Sequence, residues 1–234
     1  MSWKAVLIGL VTAVFMYGCC STQRPEAEII YRDPPQIYKS VARLHVEFLD
    51  NSGAITATAF AVNKSYLVTA GHFCTGLVEG GLVALLEEDI KMEFLNNNDE
   101  LVTTGGFEIV EINEEDDLCL VKGEVHGIVP LRILKKYRKN VRVGDDILVI
   151  GAPLGFFPVE AEGKIVTPEL NKGGGEGIIS AAVGPGHSGS PVLNENEEVV
   201  GVVVRTFFMY NKVTTMTTSN KLLKFLRESE VNID

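Results

Sequence analysis

The sequence predicts an all-β protein: two antiparallel β-barrels of the six-stranded type, finished by a C-terminal α-helix. Three observations carry this. From Val41 onward, short apolar runs rich in Val, Ile, Leu and Thr alternate with clusters of Gly, Asn, Asp and Pro. These runs fall into two groups on either side of a basic stretch, Arg132–Arg142. Only the last segment, Ser219–Glu230, spaces its apolar residues as a helix does. A chain of 234 residues with 46% hydrophobic content can bury a sizeable core, and all-β units of this size often form one domain.

The N-terminus reads as a targeting segment. Lys4 precedes an apolar run from Ala5 to Met16, followed by Tyr17-Gly18-Cys19-Cys20 and the polar Ser21-Thr22-Gln23-Arg24-Pro25. A positive start, an apolar stretch too short to span comfortably and a small residue before a polar break predict a signal peptide over residues 1–18. Gly18-Cys19 resembles a bacterial lipobox, which implies cleavage before Cys19 and a lipid on that cysteine. Met16 and Tyr17 depart from the usual Leu-(Ala/Ser) pair, and ordinary secretion is the competing reading. Ser21 to Gln36, with Pro25, Pro34 and Pro35, reads as a tether, so 19–37 is the lipidated N-terminus and 38–234 the folded domain.

The first barrel, about 38–125, opens with strands Val41–Leu49, Ala54–Val62 and Tyr66–Thr69, with Asn51-Ser52-Gly53 as a hairpin turn. Leu82–Leu86, Ile90–Leu95, Phe107–Ile112 and Leu118–Val121 continue it, with Asn96-Asn97-Asn98-Asp99 as a turn. The basic stretch carries Arg132, Lys135, Lys136, Arg138, Lys139 and Arg142. It is read as a solvated connection, contact with anionic headgroups or an acidic partner being the alternative. Strands Asp146–Ile150, Gly163–Thr167, Gly177–Ala182, Val199–Thr206 and Val213–Thr217 make the second barrel, about 140–218. The terminal helix, about 219–230, presents Leu222, Leu223, Phe225 and Leu226 after Ser219 as its cap.

A net charge of −10 argues against non-specific nucleic-acid binding, which needs a basic surface to displace counterions. Cys19 and Cys20 belong to the processing site, leaving Cys74 and Cys119 in the folded part. Neither sits in a CxxC, so no zinc and no other cofactor is expected. An exported domain can oxidise its thiols, and a Cys74–Cys119 disulfide and two buried free thiols are both open readings.

Three short segments carry chemistry: Thr69-Ala70-Gly71-His72, Asp117-Leu118-Cys119-Leu120 and Gly186-His187-Ser188-Gly189-Ser190-Pro191. A serine hydroxyl is a poor nucleophile at neutral pH and needs an adjacent base. His72 can supply it, and a carboxylate on its other nitrogen would fix the tautomer and stabilise the imidazolium. Glycines around Ser188 permit a tight turn in which the amides of Gly186 and Ser188, with His187 contributing through the peptide between them, donate to an oxyanion. His45, mid-strand, and His126, in a turn beside Gly127, are weaker candidates for the base and read as structural or surface residues.

Further segments match beyond these three. Ala59-Phe60-Ala61-Val62 through Leu67-Val68-Thr69-Ala70-Gly71-His72, then Gly144-Asp145-Asp146-Ile147-Leu148-Val149-Ile150-Gly151-Ala152-Pro153-Leu154-Gly155, then Val199-Val200-Gly201-Val202 lie in the matching order. With them the chain, from about Val41 to Arg227, resembles a trypsin-like serine protease of the chymotrypsin fold, nearest the HtrA-type protease domain. The resemblance implies a serine endopeptidase working through an acyl-enzyme on a polypeptide substrate, without cofactor. It implies Ser188, His72 and Asp117 as the triad, because the family places the acid directly before an apolar-small-apolar triplet; Asp116 is the fallback. The PDZ domain usual in HtrA proteases is expected to be absent.

Trypsin-like zymogens place an aspartate just before the nucleophile and pair it with a freed N-terminus. His187 cannot do this, so no activation of that kind is implied; the ring either stiffens the oxyanion loop through a local hydrogen bond or lies exposed. The resemblance places the specificity pocket between Ala181, Ala182 and Val183 and, opposite, Val204, Arg205 and Thr206. With no acidic residue there, a small or medium apolar side chain such as Val, Ala or Leu is expected before the scissile bond. Capping by Arg205, which would attract an acidic chain, is the alternative. The rival function is a catalytically silent protease fold acting as an envelope binding or scaffolding lipoprotein, and the intact triad argues against it. The expected location is the cell envelope, on the membrane through the lipid anchor.

Overall fold

The computed structural model describes residues 35–47, 54–79, 90–123, 127–170, 175–207 and 213–233. The signal peptide, Cys19, the tether up to residue 34, the Asn51-Ser52-Gly53 turn, the Leu82–Leu86 strand and His126 lie outside the described residues.

Seven strands form the first sheet: β1 (Val41–Glu47), β2 (Ala54–Ala61), β3 (Tyr66–Ala70), β4 (Ile90–Leu95), β5 (Leu101–Gly105), β6 (Glu108–Asn113) and β7 (Leu118–Lys122). Their order is β5-β4-β1-β2-β3-β7-β6, antiparallel throughout. The order does not close on itself among the described residues, and β5 is a strand that the sequence reading did not include. Helix α1 (Gly71–Glu79) follows β3 directly.

The second unit is a closed six-stranded barrel of β8 (Asp146–Gly151), β9 (Val159–Thr167), β10 (Glu176–Ile179), β11 (Pro191–Leu193), β12 (Val199–Phe207) and β13 (Val213–Thr218), in the order β10-β13-β12-β11-β8-β9. The connector holds one short helical turn, α2 (Tyr137–Asn140), and helix α3 (Ser219–Glu228) ends the fold.

Strand alternation sorts the apolar residues into three cores, because successive side chains leave a strand on opposite faces. Ala42, Leu44 and Val46 of β1 join Ala57, Ala59 and Ala61 of β2 in the core of the first sheet. Ile147 and Val149 of β8 join Val192, Val203 and Met216 inside the barrel. The residues between them, including Val41, Phe60, Val68, Leu118 and Leu120 from the first sheet and Ile150, Leu193, Val199 and Val202 from the barrel, meet in a shared middle core. Leu222, Phe225 and Leu226 of α3 close this middle core.

In the connector, Arg132, Lys135, Lys136, Arg138, Lys139 and Arg142 are all exposed. Tyr137 between them is buried and donates its hydroxyl to the Pro168 carbonyl at 2.7 Å, which anchors the segment to the barrel. Ser219 does not cap α3 as expected. Thr218 occupies the N-cap position with no side-chain cap bond, and the Ser219 hydroxyl donates instead to the Leu134 carbonyl at 3.0 Å. Cys74 and Cys119 are joined in a disulfide.

Candidate active site

Strand pairing puts two of the three chemistry-bearing segments side by side. β3 and β7 are neighbours with Ala70 opposite Leu118, so the turn into α1 and the residue before β7 share one end of the sheet. The Gly71 amide donates to the Asp117 carbonyl at 2.9 Å, and the His72 amide to Asp117 Oδ1 at 2.7 Å. His72 Nδ1 lies 3.1 Å from both carboxylate oxygens. Gly71 is required by this approach: a Cβ there would lie 2.9 Å from the Leu118 nitrogen and 3.0 Å from the Asp117 carbonyl carbon. The disulfide crosses the same pair of elements two residues further along each.

Asp117 is buried, with its backbone in the left-handed region at φ 51°. Burial alone would raise its pKa, but the hydrogen bonds from the His72 ring and amide, and the nearby charges of His72 and Arg205, outweigh it and hold the carboxyl below its ordinary value. Arg205 Nε approaches Asp117 Oδ2 at 3.8 Å. Asp116 points elsewhere. Its carboxylate pairs with Lys221 of α3 at 2.7 Å, and its carbonyl accepts the Thr217 hydroxyl at 2.6 Å.

Ser188 arrives from the barrel, on the turn between β10 and β11. Its Oγ lies 2.9 Å from His72 Nε2. The turn is fixed by contacts with its surroundings: the Ser188 carbonyl accepts the Thr58 amide at 2.8 Å, and the Pro185 carbonyl accepts the Leu154 amide at 2.8 Å. The Thr58 hydroxyl donates to the Gly186 carbonyl at 2.7 Å and accepts the Ala152 amide at 3.0 Å. Gly186 adopts φ 98°, where a Cβ would lie 2.1 Å from the Ala152 carbonyl oxygen.

These bonds decide which amides remain available. In a planar trans peptide the N–H points opposite the preceding carbonyl. The Pro185 and His187 carbonyls are held by Leu154 and Ser190, so the Gly186 and Ser188 amides face away from those bonds, with no internal acceptor among the described residues. The His187 amide differs from expectation: it donates to the Gly184 carbonyl at 3.0 Å and is not free for an oxyanion. The His187 ring is buried rather than exposed.

Around the expected specificity pocket, Ala181 and Val204 are buried, Val183 and Thr206 half-buried, and Ala182 exposed. Arg205 is 64% exposed along its side chain, with its guanidinium turned toward Asp117. His45 is not part of the site. It sits on β1, with Nδ1 3.1 Å from the Thr56 hydroxyl. A cavity of about 830 Å³ lies away from this chemistry, between the connector and the β11–β12 turn, and is lined by charges of both signs such as Arg132, Lys135, Glu195 and Glu198.

Thr58 was missed by the sequence reading. A threonine inside Ala57-Thr58-Ala59-Phe60-Ala61 looks like an ordinary strand residue, and the signal that could have found it is a polar residue within the fully buried half of the strand.

A carboxylate, an imidazole and a hydroxyl in series, spread over two antiparallel β-units, form the constellation of a nucleophilic serine hydrolase. The chain belongs to the trypsin-like peptidase domain family, whose profile matches residues 57–202. Serine protease HTRA1 of Xenopus tropicalis is 27% identical over 132 residues, covering 52% of this chain and 28% of that protein. The probable periplasmic serine endoprotease DegP-like of Ectopseudomonas mendocina (strain ymp) is 25% identical over 178 residues, covering 74% of this chain and 35% of that protein. The chain thus spans about a third of the length of these curated relatives. Among solved structures, Deg5 superposes with a TM-score of 0.65 at 20% identity, over 80% of this chain and 87% of that one. The serine endoprotease from Yersinia pestis gives 0.63 at 15% identity, over 83% and 65%. These two likenesses show the fold.

Proposed function

We propose that the protein is a serine endopeptidase with Ser188 as nucleophile, His72 as general base and Asp117 as the residue that orients it. The observation that carries this reading is the unbroken series from Asp117 through His72 to Ser188, with contacts of 3.1 Å and 2.9 Å. Ser188 Oγ adds to the scissile carbonyl carbon while His72 Nε2 takes its proton. The Gly186 and Ser188 amides donate to the resulting oxyanion, each contributing about 3 kcal/mol to the transition state. The imidazolium, stabilised by the Asp117 carboxylate, returns the proton to the leaving amine, and water then repeats the sequence on the acyl-enzyme.

The substrate is a polypeptide with a small or medium apolar residue before the scissile bond, held between Ala182, Val183, Val204 and Thr206. Arg205 faces the triad carboxylate in this reading. The protein works in the cell envelope, exported by its N-terminal segment and held to the membrane by lipid on Cys19. The periplasmic designation of the DegP-like relative supports the compartment.

The test is labelling of the full chain with a fluorophosphonate probe beside Ser188→Ala and His72→Ala. Labelling of the wild type alone is expected. Equal labelling of Ser188→Ala, or none of a folded wild type, removes the reading.

A further inference from the structure

His187 is a titratable side chain, 2% exposed, that no step above uses. Its ring Nδ1 accepts the Gly184 amide at 3.2 Å, while its own amide donates to the Gly184 carbonyl at 3.0 Å. Both bonds close on one residue, so the ring staples the turn that delivers Gly186 and Ser188. An accepting Nδ1 carries no proton, so the neutral ring holds its hydrogen on Nε2. Among the described residues that buried Nε2 has no hydrogen-bond partner, and neither has the Ser190 hydroxyl.

On the β8 side the groups beside the ring are uncharged. At the end of β8, a Cβ on Gly151 would lie 3.0 Å from His187 Cδ2, 2.2 Å from the Ser190 hydroxyl and 2.8 Å from the Thr58 hydroxyl. None of these groups titrates in this range. The charged groups of the site, His72, Asp117 and Arg205, connect to the turn in series through Ser188.

We propose that His187 is a positioning residue for the oxyanion turn and that its protonation releases the turn, giving the site a built-in acid off-switch. The proposal rests on the endopeptidase reading. A cationic ring would point an N–H at the Gly184 N–H, losing the staple, and would bury two donors with too few acceptors. Burial pushes the His187 pKa below its ordinary 6.5. The neutral, stapled form therefore persists at neutral pH, and release comes on the acid side. With the turn open, the Gly186 amide loses its aim, a loss of about 10²–10³ in rate.

The experiment follows the fluorophosphonate labelling rate of the full chain against pH for wild type, His187→Asn and His187→Leu. Asn offers an oxygen to the Gly184 amide but does not titrate; Leu offers nothing. The wild-type rate is expected to fall on the acid side more steeply than one proton allows, and His187→Asn to fall with a single proton while keeping its neutral-pH rate within several-fold. His187→Leu should lose about 10²-fold at every pH. Superimposed acid limbs for wild type and His187→Asn overturn the switch, and a folded His187→Leu as fast as wild type overturns the positioning role.

A second readout separates this failure from failure of the endopeptidase reading. In ¹⁵N-labelled Ser188→Ala, which needs no catalysis, the Gly184 amide resonance should move with the titration of His187. A Gly184 resonance that stays still while His187 protonates overturns the inference, whatever the labelling shows.

Discussion

Thr58 belongs to the first sheet yet bonds to the turn that carries Ser188, through its amide and its hydroxyl. Thr58→Val should leave the Gly186 carbonyl and the Ala152 amide without a partner, costing roughly 1–3 kcal/mol of stability and slowing labelling; Thr58→Ser should restore both. Paired urea melts and labelling rates check this. Asp117→Asn should keep the geometry but reverse the tautomer of His72, lowering the labelling rate by about 10⁴-fold. The same carboxylate sets a pH dependence of stability. Its folded-state pKa lies below its ordinary 3.8, so the unfolded chain binds more protons as pH falls. The stability it contributes is present above pH 3.8 and lost below it, so the difference between wild type and Asp117→Asn in urea melts should shrink as pH is lowered through that value. At this scale the sequence offered the candidate residues, since each stands in a recognisable local setting, and the structure brings His72, Asp117 and Ser188 within hydrogen-bond distance in series. The sequence did not show which neighbours aim them, because Thr58 and Arg205 reach the site across strand pairings that no local pattern encodes.

Among the elements, strands were the legible part. Ile90–Leu95 was read to the residue, and β1, β2, β3, β7, β8, β12 and β13 to within two, because short apolar runs bounded by turn residues mark them. Helix α1 was not read. Gly71-His72-Phe73-Cys74-Thr75-Gly76-Leu77-Val78-Glu79 contains two glycines and two β-branched residues, a weak helical sequence held by packing. Strand β5, Leu101–Gly105, alternates exposed and half-buried positions at the edge of the sheet and carries no apolar run to announce it. The elements holding His72 and Asp117 are coupled by covalent and steric means, and each can be tested. The disulfide closes a sequence separation of 45, so Cys74→Ser with Cys119→Ser should lower stability by about 4 kcal/mol at most, read as a fall in Tm. Gly71→Ala should push α1 away from Asp117, lowering the labelling rate by at least tenfold; an unchanged rate would show that the 2.9 Å approach is not needed.

For the whole molecule, the middle core makes the first sheet, the barrel and α3 one cooperative unit. Phe225 of α3 is 1% exposed within it. Phe225→Ala should cost about 3–5 kcal/mol and lower a single shared unfolding transition. Two separate transitions in calorimetry would contradict a common core. Lys221, one turn earlier on α3, reaches Asp116 at 2.7 Å, so the same helix that seals the core also touches the segment carrying Asp117.

In the proposed mechanism His72 and Asp117 stand on one unit and Ser188 on the other, which makes the chemistry a coincidence detector. Neither half contains a reactive centre, and a fragment released by cleavage in the Arg132–Arg142 connector would be inert toward probe and substrate alike. Mixing the two fragments should restore labelling to the extent that the middle core reassembles, turning a buried apolar surface into a quantity that can be counted one active site at a time.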